Sequence, residues 1–251
     1  STSISAGLGM AVARDLAGKQ NNVVCVIGDG AMSAGMAYEA MNNAGAMDSR
    51  LIVVLNDNEW SIDRSVGAIA RYFNAIATNP AFHAVHQKTA EFIEKILGKG
   101  MRRLAGRVEE SAKGILLPAR TDEQTASSSM LFEEFGFRYY GPIDGHDIPL
   151  LIRTFEFLKK QTQPVLLHII TEKGRGYKPA LDDPGKFHGL GKYNIETGET
   201  PPTATPTYSA IFARTVTDFA KEDSKIVAIT AAMPSGTGLD IFGKAFPHRT
   251  F

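Results

Sequence analysis

Two stretches decide the fold: residues 23–30, Val-Val-Cys-Val-Ile-Gly-Asp-Gly, and residues 51–58, Leu-Ile-Val-Val-Leu-Asn-Asp-Asn. Each is an apolar, largely β-branched run that ends in small polar residues, a pattern typical of a strand buried on both faces of a parallel sheet. We predict strands over Asn22–Ile27 and Leu51–Leu55. The Ala- and Met-rich segment Ser33–Ala44 between them predicts a helix, so the three segments form a strand–helix–strand unit.

The same alternation extends outward from this unit. Ser1–Gly18 has apolar residues every four positions and predicts a helix, Ile148–Lys160 predicts an amphipathic helix, and Pro164–Ile170 is a third buried strand. The predicted fold class is α/β, a doubly wound parallel sheet with helices on both faces. Such sheets bind ligands at the carboxyl ends of their strands.

Composition changes along the chain predict its domain organisation. Residues 1–178 form the main domain, in which 64–130 is a helical and mobile insertion rich in charged residues. Residues 179–206, with the density of prolines typical of a linker, connect it to the next domain. Residues 207–251, with a helix and then a strand over Lys225–Thr230, are the truncated start of a second α/β domain.

Charge and cysteine content exclude several classes of protein. Lys and Arg number 27 and Asp and Glu number 27, and this balance argues against a nucleic-acid binder. The sequence contains no apolar run of the ~18 residues that a membrane span needs. Cys25 is the one cysteine, so an intrachain disulfide is excluded and a reducing, cytoplasmic setting is expected.

Gly28-Asp29-Gly30 and Asn56-Asp57-Asn58 end two strands that are expected to be neighbours. Both turns should therefore open at the same edge of the sheet. Glycines allow close approach of a ligand, and a following helix directs free N–H groups toward it. A carboxylate, an amide oxygen and a diphosphate form the oxygen-rich site that suits Mg²⁺. Either motif alone is compatible with an ordinary turn, but the pair favours a binding site.

Longer stretches around these motifs resemble 1-deoxy-D-xylulose-5-phosphate synthase, a family of transketolase-like thiamine-diphosphate enzymes. The similarity is carried by residues 28–42, 55–62, 131–137, 141–147 and 173–177. The opening Ser-rich stretch is similar to one that follows a Gly-His pair in the family. The resemblance implies that the pair lies before Ser1, and that a glutamate needed for cofactor activation follows Phe251.

The resemblance also implies roles for individual residues. Asp29 and Asn58 would bind Mg²⁺ through side-chain oxygens, and Trp60, where the family usually has Met, through its backbone carbonyl. Lys173 and His188 would lie near the reacting centre as catalytic residues. The full set implied to bind the cofactor is Ser1, Thr2, Ser3, Gly28, Asp29, Gly30, Ala31, Asn58, Trp60, Ile62 and Lys173. Without the resemblance, Lys173 and His188 are better interpreted as ordinary solvated side chains.

The family implies a thiamine-diphosphate- and Mg²⁺-dependent condensation of pyruvate with D-glyceraldehyde 3-phosphate, with loss of CO₂, by a homodimer. This chain would supply the diphosphate-and-metal half of the site and would be inactive alone. Two alternatives remain: another transketolase-type enzyme, or a non-catalytic cofactor-binding subunit or homologue. A nicotinamide-binding domain is disfavoured, because no Gly-x-Gly-x-x-Gly follows a strand.

Overall fold

The computed structural model describes residues 1–59, 67–69, 73, 131–201, 205–231 and 233–251 of the 251-residue chain. In its first part, the described elements are, in chain order, α1 (Ser3–Leu16), β1 (Val24–Gly28), α2 (Asp29–Met32), α3 (Gly35–Ala46), β2 (Ile52–Asp57), β3 (Arg138–Asp144), α4 (Ile148–Leu158) and β4 (Val165–Ile170). The strands form a parallel four-stranded sheet in the order β1-β2-β4-β3. The parallel α/β sheet predicted from the sequence is confirmed.

Each face of the sheet carries its own apolar core. On one face Cys25, Val53 and Leu166 pack in a cluster with Ile4 of α1 and Met41 of α3. On the other face, alternate strand residues such as Val54 and Leu167 pack with Leu150 and Leu158 of α4. Helices therefore cover both faces, as the doubly wound pattern requires.

The prediction that both of the first two strands are buried on both faces is correct for β2 and wrong for β1. β2 is buried at nearly every position, whereas Val24 and Val26 of β1 are 47% and 62% exposed. β1 pairs on one side with β2 and forms an edge of the described sheet. An apolar run shows that a strand can be buried, but it does not show where in the sheet that strand lies.

α1 runs antiparallel to β1, and this direction places its first residues. Near its end, Arg14 donates from Nη1 to the carbonyl of Arg50, just before β2, at 2.8 Å. In the middle of the helix, Gly7 lies against Cys25 of β1. The start of α1 therefore lies on the side of the sheet where the strands have their carboxyl ends.

The chain divides into two compact units, each described here by itself: a first unit of residues 1–59 and 67–171, and a second unit of residues 60–66 and 172–251. The described helices of the second unit are α5 (Lys178–Asp182), a 3₁₀ turn (Lys186–His188), α6 (Tyr208–Glu222), α7 (Pro234–Thr237), α8 (Leu239–Ala245) and a 3₁₀ turn (Pro247–Arg249). The segment predicted as a linker thus contains helical turns.

The strand predicted over Lys225–Thr230 is not formed. A single parallel bridge joins Ala228 to Thr250, with backbone bonds of 2.9 Å from Ala228 to Arg249 and from Phe251 to Ala228. A third backbone bond of 2.9 Å runs from Thr230 to the carbonyl of Phe251. The packing of this part comes instead from α6 and α8, where Ala220, Leu239 and Phe242 are buried together.

Most of the insertion predicted over 64–130, with its mobility, lies outside the described residues, as do Trp60 and Ile62. Phe73 is described and is buried in the core of the first unit. Among the helices of the described ranges, none has the length and apolarity needed to cross a membrane.

Candidate functional site

The carboxyl end of β1 carries the first of the two motifs. Gly28 ends the strand, and Asp29, only 4% exposed, begins the short helix α2. The backbone of Gly28 is extended, at φ −81° and ψ 156°, and a Cβ there would lie 4.0 Å from the Asn56 carbonyl. The protein's own packing therefore does not require glycine at this position. The close approach of a ligand would explain it.

The carboxyl end of β2 carries the second motif at the same edge of the sheet. Gly28 pairs in register with Asn56, so Asp29 and Asn58 both follow the ends of adjacent parallel strands. Thr171, just after β4, donates from its hydroxyl to Oδ1 of Asn56 at 2.8 Å. This bond fixes which way the Asn56 amide is turned.

The backbone turns sharply directly after Asn58. Glu59 has φ +61°, in the left-handed region that residues with a Cβ rarely adopt. Its N–H donates to Oδ1 of Asp57 at 3.2 Å. Asn58 therefore lies within a strained turn that is tied back to the end of β2.

The available oxygen donors fit Mg²⁺ bound together with a diphosphate. A buried carboxylate (Asp29) and a side-chain amide (Asn58) are hard ligands, and Mg²⁺ usually takes only one or two carboxylates and completes its shell with phosphate and water. Within the described ranges, no group of three or more His, Cys, Asp or Glu residues could hold a metal. A metal held by protein carboxylates and imidazoles alone is thus not supported there. Trp60 and Ile62, the other residues implied after β2, lie outside the described residues.

The N-terminal serines are brought to the same side of the sheet by α1. Ser1 and Thr2 are exposed, and the side chain of Thr2 makes no capping bond. The hydroxyl of Ser3 is buried and has no hydrogen-bond partner in the described structure. A buried hydroxyl without a partner is unfavourable, so Ser3 Oγ is well suited to an external ligand.

Lys173 and His188 are brought together in the second unit. Lys173 Nζ lies 3.0 Å from Nδ1 of His188. Because an ammonium group can only donate, Nδ1 accepts and the imidazole proton lies on Nε2. The sequence suggested both residues but not that they touch.

An aromatic cluster supports this pair. The rings of Tyr177 and Phe187 lie 5.5 Å apart edge to face, and those of Phe187 and Tyr193 also lie 5.5 Å apart. The hydroxyl of Tyr177 donates to the Ile195 carbonyl at 2.8 Å. His188 is the neighbour of Phe187 in the chain, so these contacts fix the backbone that carries the imidazole.

Next to the second motif, three side chains form a hydrogen-bonded chain that the sequence did not predict. His168 of β4 is fully buried, with Nε2 3.0 Å from Oδ2 of Asp57 and Nδ1 2.7 Å from the hydroxyl of Tyr139. The signal available in the sequence was a histidine within an otherwise apolar strand. A buried polar side chain of this kind needs partners.

The comparisons with known proteins agree with the resemblance. The family model described as 1-deoxy-D-xylulose-5-phosphate synthase matches residues 1–171. The chain belongs to the 1-deoxy-D-xylulose-5-phosphate synthase family. Curated synthases from Acidobacterium capsulatum and Methylacidiphilum infernorum are 54% and 52% identical to it over 250 residues.

These synthases are considerably longer than the chain. The match covers 100% of the chain but 38% of each of the two relatives. The chain also matches a solved structure described as a candidate thiamin diphosphate-dependent enzyme from Mycobacterium smegmatis, at 15% identity and a TM-score of 0.36. This match covers 67% of the chain and 22% of the solved structure. That likeness is too low to carry an argument. Family membership therefore rests on the sequence matches.

Proposed function

We propose that this chain is the diphosphate- and Mg²⁺-binding part of an enzyme that condenses pyruvate with D-glyceraldehyde 3-phosphate to 1-deoxy-D-xylulose 5-phosphate. The observation that carries the proposal is the placing of Asp29 and Asn58 after two adjacent parallel strands, in a chain of the synthase family. The product is a precursor of isoprenoids, thiamine and pyridoxal.

The overall reaction joins the two-carbon unit of pyruvate to the aldehyde carbon of the acceptor. One carbon–carbon bond breaks as CO₂ leaves, another forms, and one proton is taken up. Thiamine diphosphate, when bound, would take up the electron pair of the bond that breaks and return it to the bond that forms. The protein must hold the cofactor, neutralise its diphosphate and deliver the proton.

Residues that follow β1 and β2, together with the start of α1, would bind the cofactor. Asp29 and Asn58 would offer side-chain oxygens to Mg²⁺, with the carbonyl of Trp60 as a further ligand. The N–H groups of Gly30 and Ala31 would donate to the diphosphate, because the first N–H groups of a helix lack acceptors within it. Ser3 would donate its hydroxyl to the same ligand.

Lys173 and His188 would act on the substrate. The ammonium group of Lys173 can stabilise negative charge that develops on a substrate oxygen. Its hydrogen bond fixes His188 with the proton on Nε2, so that this N–H would donate a hydrogen bond to the same developing charge. As proposed, this pair acts in proton delivery and charge stabilisation rather than in holding the metal.

The test is product formation by the full-length protein from pyruvate and glyceraldehyde 3-phosphate, with thiamine diphosphate or Mg²⁺ omitted in turn. We expect release of CO₂ and formation of the five-carbon product only in the complete mixture. The isosteric variant Asp29→Asn should weaken Mg²⁺-dependent cofactor binding, measured by calorimetry. Turnover of transketolase substrates instead, or cofactor binding without turnover, would contradict the assignment.

We also propose that the enzyme is a homodimer, from the family resemblance, and that it is cytoplasmic, or plastidic if its source is a plant. Sedimentation of the full-length protein measures the oligomeric state, and fractionation of the source cells measures the compartment. A monomer at working concentration would contradict the first of these proposals.

A further inference from the structure

We propose that Tyr139, His168 and Asp57 are positioning residues that hold the turn at Asn58 in the conformation that presents Asn58 to Mg²⁺. The inference rests on the proposed function. It concerns side chains that need not touch metal, cofactor or substrate.

The three residues lie on three adjacent strands and on one face of the sheet. His168 of β4 pairs in register with Leu55 of β2, two residues before Asp57, and Tyr139 of β3 pairs with Leu166. Since side chains two residues apart point to the same face of a strand, Asp57, His168 and Tyr139 are directed together. Their hydrogen bonds therefore run across the sheet from β3 to β2.

The hydrogen bonds have a defined direction. The Asp57 carboxylate can only accept, so Nε2 of His168 carries the proton and donates across 3.0 Å. Nδ1 of His168 then accepts from the Tyr139 hydroxyl across 2.7 Å. This arrangement satisfies both nitrogens of a ring that is 0% exposed.

Aromatic rings surround the imidazole and exclude water. The ring of Phe73 lies 6.2 Å from that of His168, and Phe132 stacks on Tyr139 at 5.8 Å. Hydrogen bonds are stronger in such low-dielectric surroundings, and a missing partner is correspondingly unfavourable. The Asp57 carboxylate, 2% exposed, is thus held in one orientation.

The orientation of the Asp57 carboxylate connects these hydrogen bonds to the proposed metal-binding turn. Oδ2 of Asp57 binds His168, while Oδ1 accepts the N–H of Glu59 at 3.2 Å. The backbone carbonyl of Asp57 accepts from Thr171 at 2.8 Å. Both sides of Asn58 are therefore anchored, and the left-handed Glu59 is kept in its strained conformation.

A role in stability alone would predict a different outcome from a role in positioning. If the three residues had only a structural role, their substitution would lower the melting temperature without changing the affinity of the folded protein for Mg²⁺. If they position Asn58, their substitution would lower that affinity in variants that remain folded. Loss of groups that orient metal ligands typically weakens metal binding about 10–100-fold.

The experiment measures Mg²⁺ affinity by calorimetry in the full-length protein with thiamine diphosphate present, together with melting temperature in EDTA. We expect Asp57→Ala to weaken Mg²⁺ binding about 10–100-fold. Asp57→Asn should recover part of the loss, because its amide oxygen can still accept the Glu59 N–H. Tyr139→Phe, which keeps the ring and removes only the hydroxyl, should give a smaller loss.

The matched control is Leu158→Ala, which removes buried apolar contacts on the other face of the sheet. It should lower the melting temperature and leave Mg²⁺ affinity within about twofold of wild type, well under 1 kcal/mol. If Asp57→Ala does not fold, Asp57→Asn and Tyr139→Phe decide the question. Wild-type affinity in these folded variants would overturn the inference and leave the proposed function standing, whereas a wild type without Mg²⁺-dependent cofactor binding would remove both.

Discussion

One contact distinguishes Lys173 and His188 from ordinary exposed residues. An exposed lysine or histidine is usually only solvated, but here Nζ and Nδ1 lie 3.0 Å apart. The contact fixes the imidazole tautomer and leaves the Nε2–H as a hydrogen-bond donor. This geometry supports the proposed role of the pair in proton transfer and charge stabilisation.

We predict that Lys173→Ala and His188→Ala each reduce kcat by about 10²–10⁴-fold, the usual loss for an electrostatic or proton-transfer partner. The affinity for Mg²⁺ and thiamine diphosphate should remain nearly unchanged. Steady-state kinetics of the full-length enzyme, with calorimetry alongside, separate the two effects. Lys178→Ala is the control, since Lys178 is an exposed lysine of the same unit that pairs with Asp182 at 3.0 Å. A rate within about threefold of wild type in either pair variant would contradict its catalytic role.

The single cysteine provides a prediction about reactivity. Burial raises the pKa of the Cys25 thiol, and this effect exceeds the opposing effect of a hydrogen bond with the Gly7 backbone. A raised pKa means less thiolate at any given pH, and the thiolate is the nucleophile. Alkylation of Cys25 at pH 8, followed by peptide mass spectrometry, should be at least about tenfold slower than in denaturant. Equal rates would show that the thiol is accessible in the folded protein.

At the scale of residues, the sequence was sufficient for some members of the site and not for others. The spacing of Asp29 and Asn58 predicted their shared edge, because parallel strands bring their carboxyl ends together. The partners of His168 could not be predicted, because Tyr139 and Asp57 are distant in sequence. The left-handed backbone of Glu59 was equally hidden, since no glycine marked the position.

Among the elements, α1 depends on the absence of one side chain. A Cβ at Gly7 would collide with the sulfur of Cys25, whereas a Cβ at Gly9, in the same helix, would meet nothing within 4 Å. Gly7 therefore allows α1 to approach β1 closely, while Gly9 only weakens the helix. The two glycines look alike in the sequence and differ only in what faces them.

We predict opposite effects of the same substitution at these positions. Gly9→Ala should raise the free energy of unfolding by about 0.5–1 kcal/mol, because alanine is the better helix former. Gly7→Ala should lower it by about 1–3 kcal/mol through overpacking. Urea denaturation measures both changes. Adding Cys25→Ala to Gly7→Ala should recover part of the loss, and equal effects at the two glycines would contradict this packing.

The elements predicted best were those with the strongest patterns. α1, α3 and the central strands β2 and β4 lie within a few residues of the predicted ranges, because their periodicity reflects burial on a sheet. The exposure of Val24 and Val26 in β1 depends on the position of that strand in the sheet, which periodicity does not contain. At 225–230, where the sequence predicted a strand, the structure has a single parallel bridge between Ala228 and Thr250.

In the molecule as a whole, the two halves of the proposed chemistry lie in different units. The family model and the first compact unit both end at residue 171. Asp29 and Asn58 belong to that unit, as do the hydrogen-bonded residues Tyr139, His168 and Asp57. Lys173 and His188 follow it. Cofactor affinity should therefore depend mainly on residues of the first unit, with the Trp60 carbonyl as the proposed exception, and turnover should additionally require Lys173 and His188.

Binding of metal and cofactor should also be visible in the stability of the whole protein. A ligand present at 100 times its Kd stabilises the folded state by about 2.7 kcal/mol, which corresponds to a rise in Tm of roughly 5–10 °C for a domain of 150–250 residues. We predict a rise of this size in the unfolding transition of the cofactor-binding domain when Mg²⁺ and thiamine diphosphate are added together to the full-length protein, measured by differential scanning calorimetry. EDTA should abolish it, because the diphosphate would lose the cation that links it to Asp29.

The matched variants are Asp29→Asn and Asp144→Asn. Both replace a carboxylate at the carboxyl edge of the sheet, but Asp144 is exposed at the end of β3 and accepts the N–H of His146 at 2.8 Å. Asp29→Asn should lose most of the ligand-induced rise in Tm, because an amide attracts Mg²⁺ less strongly than a carboxylate does. Asp144→Asn should keep the rise in full. An equal rise in both variants would show that the metal is held elsewhere, and the carboxyl edge between β1 and β2 would then no longer be the cofactor site.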